Sequence, residues 1–511
     1  MVMVNESKSK IVLRNTVMGV FNNVALVLLN LITRKLFLQY IGIEYLSIGQ
    51  VINNILSILA FSELGVANSV LYMLYKPVSE NDERKITRII GTYKKLNKTI
   101  GCTIFVFGLL CMPFLHYFIK TSISMNTVKL IFLMNLFYSV STYFCSYRQV
   151  LINANQKNYI VSKVSLVINF CSIIIQSLAI YFTHCYILYL AITIVMGVLI
   201  NIVTYFIAGY MFPYIVTFKK DKLDKYEART LAENVKSMFS VKICGIVINN
   251  TDNILVSLFD TLKVGFISNY TIVTSRLRGI ITVFHNSVIY SLGIASVQKT
   301  PDEKYFLFKK VILVNTFIAG FTSLLIGVLW NDFIVLWIGS EYVVSDVLMF
   351  SLLINYMWSL IIAPIWMFRD TNGLFTYVKK MLLINALLNL IISFILGKMI
   401  GVSGVYYATI IADIMTDFWF DSKLIYNKLF KRNDYWKYCA FVLANIFFIA
   451  SGTILINRLC LGVKISILTF IVKAIITGMI YIVVFLCVFG RSDVVKNIWS
   501  TMIKPKIQRM G

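Results

Sequence analysis

The sequence predicts an all-α polytopic membrane protein with about 14 transmembrane helices. Three observations carry that reading. Apolar stretches recur along the whole chain, at 11–33, 46–75, 99–119, 128–151, 164–184, 186–212, 241–260, 264–293, 306–330, 347–368, 381–396, 404–422, 438–456 and 465–489. Most approach or exceed the ~20 residues that a helix needs to cross a bilayer. The composition agrees: 59% of residues are apolar and the mean hydropathy is +0.79, against about 45–50% apolar in a soluble protein. The third observation is where the charge falls. With the N-terminus placed in the cytoplasm, Lys and Arg are in roughly fourfold excess in the connections facing inward, the asymmetry that sets orientation in short loops. The expected location is the cytoplasmic (inner) membrane of a bacterium, with both termini cytoplasmic.

That placement also accounts for the net charge of +25. Basic loop residues beside lipid serve topology and contact anionic headgroups, so membrane lipids, and not nucleic acid, are the expected partner of the charge. The 9 cysteines form no C-x-x-C pair and the 3 histidines are scattered, so neither a metal site nor a disulfide framework is indicated. No G-x-x-x-x-G-K-[ST] phosphate loop is present, which argues against ATP hydrolysis by this chain. The first apolar run is too long for a signal-peptide core.

Along the chain, span 1 leads to span 2 through FLQYIGIEYLSIGQVINNIL (37–56). Comparable glycine-then-aromatic passages recur at 257–275 and 399–411, a weak internal repeat of the kind that builds transporters around a midplane site. The connection 76–98 places Ile86, Ile89, Ile90 and Tyr93 at helical spacing among Arg84, Lys85, Arg88, Lys94 and Lys95. It reads as an amphipathic helix lying on the inner leaflet. The connection 213–240 reads the same way. The longest outward connection, 331–346, is itself largely apolar. No segment outside the membrane is large enough to fold alone, which disfavours a polymerase or glycosyltransferase needing an outer domain.

Ionisable residues inside spans are costly and mark cavities or partners. Lys242 and Arg148 lie near cytoplasmic ends, where snorkelling is the plain account; Arg14 lies near one too. Arg276 and Arg278 sit past the middle of span 8, and Asp252 sits at a similar level in span 7. An Asp252–Arg pair is one reading. The other is a cavity for an anionic head, because one carboxylate cannot neutralise two guanidiniums and guanidinium grips phosphate in two-pronged fashion. Asp413, Asp417 and Asp421 repeat every four residues on one face of span 12, with Asp421 read as interfacial. Equal depth suggests an Asp413–Lys473 ion pair, with proton or sodium coupling as the functional alternative; Glu63 is the acidic candidate of the first half. The asparagines (Asn22, Asn23, Asn30, Asn53, Asn54, Asn249, Asn250, Asn253) suit interhelical hydrogen bonds. Trp330, Trp337, Trp358 and Trp366 read as interfacial belt residues.

The runs RNTVMGVFNNVALVLLNLITRKLF (14–37), YIGIEYLSIGQVINN (40–54), SELGVANSVLYMLYKP (62–77), NQKNYIVSK (155–163), NNTDNILVSLF (249–259), VGFISNYTIV (264–273) and RDTNGLFTYVKK (369–380) together resemble the bacterial polysaccharide flippases of the Wzx (polysaccharide transporter) type. The resemblance covers nearly the whole chain and departs at Ser47, where glycine is common in the family. It implies the fold of the multidrug/oligosaccharidyl-lipid/polysaccharide (MOP) exporters, MATE-like, with two lobes about a central cavity. The lobes would be 1–212 (spans 1–6) and 213–430 (spans 7–12), with 431–511 adding spans 13 and 14 and a cytoplasmic tail. The implied substrate is an undecaprenyl-diphosphate-linked oligosaccharide repeat unit, moved from inner to outer leaflet without enzymatic chemistry and without a cofactor. A polysaccharide polymerase and other assembly proteins are implied partners. Arg14, Arg34, Glu63 and Asp252 match family motif positions; Arg276 and Arg278 rest on depth alone. The rival readings are a cation-coupled MATE-type exporter and a membrane-embedded polymerase or glycosyltransferase.

Overall fold

The computed structural model describes residues 29–60, 66–155, 157–217, 229, 233, 252, 254–374 and 377–498. Among the described residues, nine helices are long and apolar enough to cross a membrane, and Ile43–Leu59 is a shorter apolar helix. The nine fall on the predicted spans 3–6, 9–11, 13 and 14. Most of span 1 and most of span 7 lie outside the described residues. The chain divides into two compact units, Met1–Gly265 and Phe266–Gly511.

In the first unit, α1 (29–40) turns into α2 (Ile43–Leu59) at Gly42, whose φ of 97° only glycine adopts without strain. Ser47 does not disturb this corner. It is fully buried, donates to Ile43 O at 2.9 Å and to Leu262 O at 3.2 Å, and so uses its hydroxyl where a glycine could not. The predicted span 2 is two helices, α2 and α3 (Val66–Ser79). The amphipathic segment after it is not a separate surface helix. It is the first half of one continuous helix, α4 (Glu83–Cys111), started by an Asp82 N-cap that accepts from Lys85 N. Ile86, Ile89, Ile90 and Tyr93 are buried against protein, because α3, the turn Ser146–Arg148 and the short helix Tyr214–Thr217 pack on this stripe. Protein, not lipid, takes the apolar face. The unit continues with α5 (Met125–Cys145), α6 (Asn158–Thr183) and α7 (Tyr186–Met211).

The helix α8 (Thr261–Gln298) leads into the second unit, which is built around α9 (Pro301–Trp337). A capping box between Thr300 and Glu303, with Pro301 at the first helical position, fixes where α9 begins. At 1.5 Å per residue it runs about 55 Å, so the expected outward loop 331–346 begins as helix, and Asp332 is a helical residue. Small residues line the buried face of α9. Gly320 lies against the Tyr481 ring, and a Cβ at Gly327 would stand 2.6 Å from Thr453 Oγ1, the close backbone approach that seats helices in lipid. These contacts hold α15 (Tyr435–Leu459) and α16 (Ile467–Phe489) onto the unit. Between α9 and α15 in sequence come α10 (Asp346–Ile361), α11 (Ala363–Thr371), α12 (Lys379–Ile400), α13 (Val402–Asp413) and α14 (Trp419–Ile425). Wide π turns at Ile414–Phe418 and Tyr426–Phe430 flank α14.

Candidate functional site

The second unit gathers its buried polar groups where α10, α12 and the π turn after α13 meet. Asp413 accepts from Trp358 Nε1 at 2.7 Å and from Asn385 Nδ2 at 2.8 Å. The same Asn385 amide reaches Thr416 Oγ1 at 2.9 Å and Asp417 Oδ2 at 3.1 Å. The wide turn Ile414–Phe418 makes this convergence possible by rotating Thr416 and Asp417 inward beside Asp413; such turns recur at functional sites. Asn385, Thr416 and Trp358 are buried, and Asp417 is 8% exposed. Among the described residues, Asp417 Oδ1 and Asn385 Oδ1 face no donor. Buried oxygens without donors are costly in a low-dielectric interior, and a proton or a small hard cation satisfies them best. No group of three or more His, Cys, Asp or Glu side chains converges as a metal centre among the described residues.

Two expectations about this face are corrected. Lys473 does not pair with Asp413: its Nζ donates to Asp332 Oδ2 at 2.7 Å, with both side chains 13% exposed. The helical extension of α9 brings Asp332 to Lys473, and Asp413 is already held by the indole and the amide. Asp421 is not interfacial. It is 1% exposed and bonds Arg369 Nη1 at 2.7 Å, while Arg369 Nε reaches Asp370 at 2.8 Å. The aromatic belt is also partly corrected: Trp330 and Trp358 are 3% and 2% exposed, because one packs edge-on to Tyr270 and the other serves Asp413.

Arg276 is half-buried and Arg278 lies on an exposed stretch of α8. The Arg278 guanidinium stands 5.7 Å from the Tyr356 ring centroid, and Tyr356 donates to Thr322. Among the described residues of this unit, neither arginine has a carboxylate within ion-pair distance. In the first unit, Asp252 is buried. Arg34 is half-buried on α1 within electrostatic reach of Tyr189, one turn from Phe37, whose ring packs on Tyr186 and Tyr189. Arg14 and Glu63 lie outside the described residues, as do Lys242, Asn22, Asn23, Asn249, Asn250 and Asn253.

Sequence reasoning missed Asn385, Thr416, Arg369 and Asp332. Asn385 carried a legible signal, being one of two amides, with Asn389, in the otherwise apolar run MLLINALLNLII (381–392). Asp332 carried none, having been placed in a loop.

The first unit holds a second polar assembly. Lys120 N donates to Thr261 Oγ1 at 2.9 Å and its Nζ to Leu258 O at 2.8 Å. Glu44 accepts from Ser122 N and Oγ, and from Thr121. Together with Ser47 and Leu262, these bonds clasp three connections at the end of the unit that the charge pattern assigns to the outside.

No family model matches the chain, and no curated protein does. Solved structures do match. The chain is similar to the lipid II flippase MurJ in an inward closed conformation, with a TM-score of 0.64 and 16% identity over 93% of this chain and 99% of that one. It is also similar to an inward-facing multidrug-resistance MATE family transporter of the MOP superfamily, with a TM-score of 0.54 and 12% identity over 78% and 95%. A MATE transporter of Vibrio cholerae matches with a TM-score of 0.51 and 12% identity over 80% and 94%. These neighbours are a flippase and transporters, and this multi-pass chain shares their fold.

Proposed function

We propose that this protein is a flippase that carries undecaprenyl-diphosphate-linked oligosaccharide repeat units from the inner to the outer leaflet of the bacterial cytoplasmic membrane, for polysaccharide synthesis, by alternating access. The observation that carries the reading is the end-to-end likeness to a lipid II flippase; the resemblance of the sequence runs to those of polysaccharide flippases supports the oligosaccharide. A diphosphate and several sugars cannot cross hydrocarbon unaided, whereas a polyprenyl tail stays in lipid. Arg34, Arg276 and Arg278 are assigned to the diphosphate and sugars, with Asp252, and the halves 1–212 and 213–430 act as the lobes. The Lys120, Glu44 and Ser47 bonds act as an outer clasp that closes the outward side and must break for release. The Asp413–Asn385–Asp417 cluster takes up the proton or sodium ion that drives the cycle, its unmatched oxygens supplying the affinity.

The test is polymer export in the host. Deletion should trap lipid-linked repeat units on the cytoplasmic side, and the wild-type chain should release them. Release failing with Arg276→Ala or Arg278→Ala at normal protein level supports the assignment. Trapped units already on the outer face would overturn it in favour of a polymerase. The carboxylate cluster and the MATE likeness favour a second reading, a cation-coupled exporter of small molecules. It predicts that deletion leaves polymer export intact and raises sensitivity to an exported compound.

A further inference from the structure

A second cationic cluster, built from residues given no role above, lies in the first unit at the end the charge pattern places in the cytoplasm. Arg148 was expected to snorkel to the interface. Instead it is 9% exposed, on the tight 3-10 turn Ser146–Arg148 that interrupts the helix between α5 and Gln149–Ala154. A tight turn inside a span marks a place where the chain departs from the cheapest geometry. Here it delivers the guanidinium onto the face of Tyr205, 3.8 Å from the ring centroid, with Tyr147 at 5.9 Å. Lys94 of α4 approaches the same Tyr147 ring at 5.6 Å. Two cations thus converge on two phenols, and neither has a carboxylate within ion-pair distance or a hydrogen-bond acceptor among the described residues.

The chemistry follows from geometry. Stacking occupies the face of a guanidinium and leaves its in-plane N–H groups free, in the fork that fits two oxygens of a phosphate. Burying a cation without a counter-ion is expensive, and a like charge beside it adds to the cost. Tyrosine faces offset only part of it. An anion between Arg148 and Lys94 removes the remainder.

We propose that Arg148, Lys94, Tyr147 and Tyr205 form a phosphate-binding site at the cytoplasmic end of the first unit, for the phosphate of an anionic lipid headgroup or of a diphosphate. The site stands on its own geometry and does not depend on the flippase reading.

The test uses the full chain in neutral detergent micelles and in nanodiscs. In the first arm, inorganic pyrophosphate is titrated by calorimetry against wild type, Arg148→Met, Arg148→Lys and Lys94→Ala in micelles. In the second, native mass spectrometry follows phosphatidylglycerol retained by the same proteins from mixed phosphatidylcholine nanodiscs. Because Lys94 is exposed, Lys94→Ala keeps the fold intact and reports even where an Arg148 variant does not express. Arg148→Met should weaken phosphate binding about tenfold or more, Lys94→Ala severalfold, with Arg148→Lys in between. Binding confined to the first arm identifies a diphosphate reaching the site from water, and binding confined to the second identifies a lipid headgroup; either supports the site. Pyrophosphate and phosphatidylglycerol binding that is absent, or unchanged in both Arg148→Met and Lys94→Ala, overturns it.

Discussion

Lys473 on α16 and Asp332 on α9 form an ion pair of 2.7 Å, with both side chains nearly buried, and this pair fixes the C-terminal hairpin to the long helix at one depth. Just along α9, Asn457 donates to Gly327 O at 3.2 Å, and Tyr481 donates to Thr316 O at 3.1 Å. The hairpin is registered by polar contacts over the length of α9, while small residues let the backbones approach.

Breaking that pair from one side leaves a buried charge. Lys473→Met and Asp332→Leu should each cost about 3 kcal/mol, read as lower thermal stability of the purified protein. The double variant should regain most of the loss. A double variant no better than either single one would show that the two residues act separately.

The Ser47–Gly265 approach is close enough that a Cβ on Gly265 would overlap the Ser47 hydroxyl. Gly265→Ala should therefore force the clasp apart at a cost of about 1–3 kcal/mol. Labelling of a cysteine placed at Ser122 should then rise, reporting exposure of the outer connections. Ser47→Ala, in the same chain as Gly265→Ala, should bring labelling back down.

Coupling gives a third expectation. In proteoliposomes, an imposed proton or sodium gradient should stimulate flipping by wild type. Asp417→Asn should reduce that stimulation about fivefold or more while basal flipping persists. Stimulation surviving in Asp417→Asn and Asp413→Asn alike would remove this cluster from the coupling role.

Arg369 neutralises Asp421 inside the second unit. Arg369→Met should lower stability by about 3 kcal/mol by stranding the carboxylate, and Arg369→Met with Asp421→Leu should recover it. Expression level and melting temperature of the three proteins decide the matter.

The sequence alone determined that this chain is a bundle of spanning helices, and where most of them lie. Hydropathy suffices there because a lone chain in lipid must satisfy its backbone hydrogen bonds within each helix. Sequence spacing also showed that Asp413, Asp417 and Asp421 share a face. Only tertiary structure decided their partners. Lys473 and Asp413 matched in depth, yet depth along a span leaves rotation and neighbours open. A π turn re-aimed Thr416 and Asp417, a helix longer than its apolar core delivered Asp332 to Lys473, and the amide of Asn385 joined two carboxylates. The amphipathic stripe of α4 was legible as a stripe; that protein covers it, not lipid, depended on α3 and the Tyr214–Thr217 helix arriving from elsewhere in the chain. Periodicity says which face is apolar, and only packing says what meets it.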